Sequence, residues 1–484
     1  ISGGRVGWDV YGGWSGFGPA TNNTVTLSGG SIGRGVYGGQ VSSGSGDRFS
    51  GNTLNVAASG LTVGTELKNF QYLNFYLPST LAAGGTMLTV TGTTDLTDGG
   101  SRSSMVNVGI GGSSSHLAVG DKVTLIKAGT LTTTSSLNST ANGTAGVTLA
   151  YTFDLATTAT SLTATVISAG ATEGSKALSE GVLSSAALAA QGGDMAAGEA
   201  MAQAVSAGSG GGMGGGFGAV SGGSMRYNSG SHSDVSSVSL ATGFAKGFEL
   251  DQGRAVLGAF LEYGNGSYDA YNSFATDRLH GSGDLDYVGV GMLGRMDFAQ
   301  EGPGHAYTEA SLRLGRTHNK YDNVGFGGGI GAHYKTSPAY YGGHIGAGYV
   351  WDIAPKTALD LSAKYLVTHQ NASRVTLGSG DDIRFDSVTS KRTRLGGRVF
   401  YAATDRITPY AGAAWEYEFD ARADATTSGI AIDAPSLKGG TGIGELGVAV
   451  KPSAEMPLSL DLGLQGYAGK REGVTGSLKA VFRF

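Results

Sequence analysis

The sequence predicts an all-β protein interrupted by one long helix: a 12-stranded antiparallel transmembrane β-barrel, plugged by that helix and preceded by a short β-solenoid. Three observations carry this prediction. A near-identical block recurs after 26 residues at the amino-terminal end. Glu173 to Ser206 is the one long stretch with helical rather than strand character. From about residue 216 onward, long segments alternate strictly between an apolar face and a face of charged or very small residues.

Composition narrows the field first. The 484 residues include 86 Gly but only 9 Pro, against a usual glycine share of about 7%. Glycine without proline and without a G-X-Y period excludes collagen and leaves a β architecture that needs small side chains for close packing. The net charge is -5 with no run of Lys and Arg, which argues against a nucleic-acid partner. Cysteine is absent, which excludes a disulfide framework and a thiolate metal site and suits a chain that crosses an oxidising compartment unfolded. Ile1 is not an initiator and no apolar signal segment follows it, so the sequence reads as a mature fragment. No run of about eighteen apolar residues marks a helical membrane span.

Taken in order, Ile1 to Gly13 (ISGGRVGWDVYGG) aligns without a gap on Leu27 to Gly39 (LSGGSIGRGVYGG). A weaker copy in Asn52 to Gly64 echoes Asn23 to Gly29. Short apolar alternations, Val25 with Leu27 and Leu54 with Val56, keep phase between Gly/Ser/Asn turns, which is the mark of stacked solenoid rungs rather than a compositional linker. A few rungs do not stand alone, so more are expected upstream. Strand-like runs continue from Leu67 to Ser168, and the aromatic stretch Phe70, Tyr72, Phe75 suggests a cap that closes the open edge of the stack. Residues 1–170 are thus expected to be solenoid with its capping region, 171–212 linker and helix, and 213–484 barrel.

The helical stretch is rich in Ala, Leu, Met, Glu, Lys and Gln. At about 1.5 Å per residue it would reach roughly 50 Å, enough to cross a membrane. Lys176, Glu180, Asp194 and Glu199 interrupt it, and Ala, Ser and Gly pave the rest, so it suits neither lipid nor an ordinary core. Such a slim rod needs a close-fitting tube. Gly192-Gly193 leaves open whether it is one helix or two. The tract Gly208 to Gly216 reads as a hinge.

Beyond it, twelve strand candidates can be counted. In LSLDLGLQ, Leu458 to Leu464 occupy one face while Ser459, Asp461, Gly463 and Gln465 fill the other. A soluble sandwich would show the same alternation with the faces exchanged. Strand length decides for a barrel, since these runs exceed the five or six residues of globular sheets and match a tilted bilayer crossing. Aromatics at strand ends (Tyr349, Trp351; Trp415, Tyr417, Phe419) and alternating short and long connections point the same way. The polar faces place Glu262, Arg295, Glu309, Arg313, Asp360, Lys364, Arg394, Arg398, Glu416, Glu445 and Asp461 in the lumen, as a mixed-charge lining expected to grip the helix through its four charged residues. The chain ends in GSLKAVFRF, with Leu478, Ala480, Phe482 and Phe484 on one face.

Catalytic signatures do not emerge. His232 with Asp234 reads as a solvated loop pair, and Gly327 to Gly329 lack the following helix that a phosphate loop needs. No catalytic residue, metal or cofactor is expected.

A solenoid, a pore-length helix, a twelve-strand alternating domain and a terminal Phe, in that order, resemble a classical monomeric autotransporter, the type V secretion proteins of Gram-negative outer membranes. The resemblance implies a right-handed β-helix passenger at the cell surface, a barrel set in outer-membrane lipid, and a helix that stays in the pore. It also implies periplasmic chaperones and the barrel-assembly machinery as partners, the latter reading the last strand at Leu478, Ala480, Phe482 and Phe484. The passenger would be an adhesin-like protein meeting host or surface ligands; a porin or surface receptor with a decorative amino-terminal region is the alternative. Some relatives cleave off their passenger with a pore-helix Asn. None occurs between Glu173 and Ser206, so self-cleavage is not expected here.

Overall fold

The computed structural model describes residues 1–209, 214–274, 278–300, 302–326, 329, 331–453 and 456–484, in two compact units. The first holds Ile1–Thr172 with the short segments Gly378–Asp382 and Thr427–Ile430. Its strands stack in parallel. Val10–Ser15 pairs with Val36–Val41 in the register of the 26-residue repeat, Tyr11 beside Tyr37. Thr24–Leu27 pairs with Thr53–Val56, and that strand in turn with Tyr72–Pro78. Inward positions such as Leu27, Val36, Leu54 and Val63 are fully buried in one continuous core. A column of asparagines joins successive rungs outside it: Asn74 donates to Asn55 and Asn107 to Asn74, each at 2.9 Å. Inside the turns, Asn52 is fully buried; its amide donates to backbone carbonyls of Ala20 and Arg48 at 3.0 and 2.7 Å.

The cap lies later than the aromatic stretch suggested. Phe70 and Phe75 belong to a rung, buried in the common core, and Tyr72–Pro78 is still paired in parallel on both edges. Parallel stacking ends when Ser161–Ala171 joins Lys122–Thr132 antiparallel and Leu149–Thr157 follows. Alternation looks the same in either direction, so the sequence did not distinguish the last rung from the hairpins that close it. In this unit Asp381, fully buried, accepts from the Thr148 hydroxyl at 2.5 Å and the Val147 amide at 3.1 Å.

The second unit is a closed barrel. Twelve antiparallel crossings run from Gly215–Asn228 to Arg471–Arg483, and those two strands pair with each other, so the sheet has no edge. The sixth crossing is interrupted at Ser337-Pro338, between Ala332–Thr336 and Ala339–Ala354. Leu257, Leu261, Leu312, Leu314, Ile345 and Leu446 are 60% or more exposed on the outer face, which only a hydrocarbon surround makes favourable. No helix among the described residues is long and apolar enough to cross a membrane.

Inside runs the helix. A 3-10 turn, Glu173–Ser175, leads into Lys176–Met195, a π-helical segment Ala196–Ala200 and a last α-helical stretch Met201–Gly208. Gly192-Gly193 does not divide it. The helix enters beside the turn Ser229 to Ser231, at the end bearing the longer connections, and finishes beside Arg254 and Arg483 at the other end. The sequence reading of the tract 208–216 and of the barrel start at Met213 falls largely on residues 210–213, outside those described. The same holds for Gly327 and Gly328.

Candidate functional site: the helix and its barrel wall

Glycine decides how closely the helix meets the wall. A methyl on Gly181 would stand 2.5 Å from the Tyr268 hydroxyl and 2.7 Å from that of Tyr334. On Gly192 it would stand 2.6 Å from both Arg313 and Tyr287. These are sub-van-der-Waals distances, so at these positions the helix backbone itself is the contact surface. Gly192 therefore serves close approach and not termination. Toward the helix's end the seat becomes apolar: Met195, Ala200, Met201, Ala204 and Ala207 pack on Phe217, Val256, Phe260 and Leu293.

At mid-helix, Asp194 is held by three guanidinium groups. Its Oδ1 accepts from Arg392 at 2.7 Å and Arg394 at 2.6 Å, and its Oδ2 from Arg471 at 2.8 Å. Glu416 shares the same arginines, accepting from Arg394 and Arg471 at 2.6 Å each. Side-chain exposure across this cluster is 18% or less. Opposite charges at these distances in a dry setting interact far more strongly than at a surface, and each oxygen has a donor, which offsets the desolvation of the ions.

Further grips are to the helix backbone. Arg313, locked to Glu262 at 2.9 Å, donates to the Ala189 carbonyl at 2.6 Å. Arg392 reaches the Ala190 carbonyl at 3.0 Å and Lys364 the Ala197 carbonyl at 2.6 Å. Helix carbonyls keep a second lone pair after their helical bond, and wall cations use it.

All eleven lumen residues expected from alternation face inward, but the picture of wall charges gripping helix charges needs correction. Arg394 alone among them binds a helix carboxylate. Glu309 pairs with Lys364 at 2.6 Å, Arg398 with Glu445 at 2.9 Å, and Asp461 with Lys479 at 3.1 Å, while Asp360 accepts from Tyr307 at 2.8 Å. Arg295 donates to Asp297 at 2.7 Å. Of the helix residues, Glu180 is fully buried and accepts from the hydroxyls of Ser229 at 2.8 Å and Ser231 at 2.6 Å, not from a wall cation. Lys176 begins the α-helical part, and Glu199, in the π-helical segment, borders a cavity of about 130 Å³ lined also by Arg295, Lys364, Arg398 and Glu445. His232 and Asp234 lie on the strand His232–Leu250 and not in the loop expected; His232 stacks on Tyr271 at 4.9 Å, and Asp234 pairs with Arg226 at 2.7 Å.

Arg392 and Arg471 are the important residues that sequence reasoning missed. Arg392 stands in phase with Arg394 and Arg398 on an inward face, which was the available signal. Arg471 opens the last strand, Arg471–Arg483, ahead of the closing segment GSLKAVFRF, and gave none. On the last strand, Leu478, Phe482 and Phe484 are 47% or more exposed on the outer face; Phe484 stacks on Phe244 at 6.2 Å.

Residues 213–463 match the model of a family described as the autotransporter beta-domain. The chain is 26% identical over 252 residues to the BrkA autotransporter of Bordetella pertussis. That match covers 51% of this chain and 23% of the relative, so the chain spans about a quarter of that protein's length. Among solved structures, the beta domain of the Bordetella autotransporter BrkA aligns with a TM-score of 0.45 at 17% identity, covering 56% of this chain and 99% of that one. The transport unit of AIDA-I from Escherichia coli aligns with a TM-score of 0.46 at 16% identity, covering 59% and 98%.

Proposed function

The chain belongs to the autotransporter family through its β-domain, an outer-membrane β-barrel of the export type, and from that premise we propose that it displays its own solenoid at the cell surface as an adhesin-like module. The observation that carries this reading is the helix. It continues directly from the solenoid, fills the lumen of the closed barrel and ends beside the first barrel strand. A chain that has passed through its own barrel and been locked there has this connectivity. The helix-filled lumen favours display over the porin alternative, because a diffusion pore needs an open channel.

In this reading the barrel-assembly machinery and periplasmic chaperones insert the barrel, and the outward Leu478, Ala480, Phe482 and Phe484 on the closing strand form the recognised face. Asp194 acts as an ion-pair partner and not as a nucleophile: both of its oxygens are engaged by arginines. Protease shaving of intact cells tests display. Release of a fragment ending near Gly170, with the barrel retained, is expected; full protection on cells whose barrel is folded would refute it.

A further inference from the structure

The two halves of the plugged lumen differ in how tightly the helix fills them. Every helix residue from Ala177 to Ala190 is buried, whereas Ala202, just past the π-helical segment and also inside the barrel, is exposed. Gly198 and Glu199 lie four and three residues before Ala202, so the three share one helix face. A methyl on Gly198 would meet nothing within 4 Å, in contrast to Gly181 and Gly192. This face borders the cavity of about 130 Å³.

The open space follows from where the end of the helix leans. Met201, Ala204 and Ala207 pack on Phe217, Val256, Phe260, Leu293 and Val481, which belong to the first, third, fourth and last crossings. Facing them across the cavity stand Lys364, Arg398, Ala413 and Glu445, from the seventh to the tenth. An off-centre rod leaves a crescent. Its lower end lies near the short turns, because Asp360 and Arg398 are paired in register and each is three residues from the end of its strand. Side-chain exposure then falls along the wall from Arg398 at 31% and Lys364 at 17% to Arg392 at 4% and Arg313 at 1%. Solvent therefore enters from the short-turn end and stops at the Asp194 cluster. One water needs roughly 10–15 Å³ of such space, so this polar cavity holds several.

Charge gives the crescent a sign. Three of the carboxylates that line it are matched by cations: Asp194 by Arg394 at 2.6 Å, Glu309 by Lys364 at 2.6 Å and Glu445 by Arg398 at 2.9 Å. Arg295, the fourth lining cation, is held by Asp297 at 2.7 Å. Two lining carboxylates are not matched. Asp360 accepts from the Tyr307 hydroxyl at 2.8 Å and has no ion pair, and no side chain among the described residues pairs with Glu199. Two uncompensated carboxylates in a narrow space walled by protein focus a negative potential, which draws in cations and repels anions.

We propose that the short-turn half of the lumen is a blind vestibule that concentrates compact cations, with Glu199 as its attracting group. This stands apart from the display reading and does not depend on it. The chain has no cysteine, so a single introduced thiol reports on one position. The test uses the purified full chain in detergent at low salt, carrying Ala202→Cys, Gly198→Cys or Ser185→Cys, the last a nearly isosteric change at a buried site. Each variant, shown to be folded by its heat-dependent migration on semi-native gels, is treated with a trimethylammonium-ethyl and a sulfonato-ethyl methanethiosulfonate. Every rate is divided by that reagent's rate with mercaptoethanol, which removes intrinsic reactivity. Gly198→Cys should react at least tenfold faster with the cation than with the anion. Ala202→Cys, nearer the mouth, should react at least as fast as Gly198→Cys, and Ser185→Cys at least a hundredfold more slowly. Adding Glu199→Gln to Gly198→Cys should lower the cation-to-anion ratio at least threefold. A ratio near one at Gly198→Cys, a ratio that Glu199→Gln does not move, or equal rates at positions 198 and 185 would overturn the proposal.

Discussion

Replacing Asp194 by Ala removes a carboxylate that ties the middle of the helix to three wall arginines. In the parent, Arg392, Arg394 and Arg471 face Asp194 and Glu416, with Glu418 at 3.9 Å from Arg392, so three positive charges meet three negative ones. The variant leaves three cations against two anions, all within a cluster no more than 18% exposed. Removing one partner of a buried ion pair costs about 3–5 kcal/mol, because the remaining charges stay buried and uncompensated. At about 1.4 kcal/mol per factor of ten, the ratio of seated to unseated helix should fall roughly a hundredfold to a few thousandfold. Single-channel recording in planar bilayers reads this directly as the fraction of time spent in a high-conductance state, the level that a variant lacking residues 173–206 would show continuously. Asp194→Asn keeps the shape and loses the charge, and should behave like Ala. An open fraction within threefold of the parent for both variants would refute the view that this cluster holds the helix in place.

Two further predictions follow from the same distances and from the solenoid. Gly181→Val places a branched side chain where a single methyl already comes within 2.5 Å of Tyr268 and 2.7 Å of Tyr334; overpacking of this kind costs about 1–3 kcal/mol or more. The heat-stable compact form on semi-native gels should therefore melt earlier, and an unchanged melting profile would show that the tyrosine cage yields freely. In the solenoid, burial first and the hydrogen bond to the Glu66 carboxylate second push the Tyr37 hydroxyl above its usual range. The folded state thus prefers protonated Tyr37: that stabilisation is fully present below about pH 10 and is lost as pH rises toward the raised value. The difference in tyrosinate absorbance between parent and Tyr37→Phe should inflect above the exposed tyrosines, and inflection with them would contradict the assignment.

Much of this was legible because alternation is a strong signal over ten or more residues. A one-residue slip would exchange the faces of a strand, so the charges at Glu262, Arg313, Glu416 and Glu445 fixed which face is the lumen. The same phase carried information that was not used. Tyr268 is in phase with Glu262, Tyr287 with Arg295 and Tyr321 with Arg313, so each is an inward residue, and all three are fully buried. Aromatics near strand ends were assigned to the membrane interface, where Trp351 and Trp415 do lie exposed; phase, not position along the strand, separates the two groups. Which cation meets which anion was not legible, since pairing depends on register between strands far apart in sequence. Arg471 reaches Asp194 across 277 residues of chain.

A set of glycines on the barrel wall follows from these inward tyrosines. A lumen that holds a helix has room for large rings only if they lie flat against the wall, and a flat ring needs a neighbouring position without a Cβ. Tyr321 lies over Gly281, where a methyl would stand 2.6 Å from its hydroxyl. Tyr287 covers Gly264, Tyr340 covers Gly289, Tyr307 covers Gly348 and Tyr410 covers Gly447 in the same way, each closer than a Cβ would permit. Ring over glycine fills the wall without narrowing the bore, and it turns the tyrosine hydroxyls toward useful acceptors: Tyr340 donates to Glu262 at 2.5 Å, Tyr307 to Asp360 at 2.8 Å and Tyr410 to Asp461 at 2.9 Å. Glycine on the wall and glycine on the helix thus solve one problem from two sides. The wall glycines lay the rings flat, and Gly181 and Gly192 let the helix backbone come down onto them.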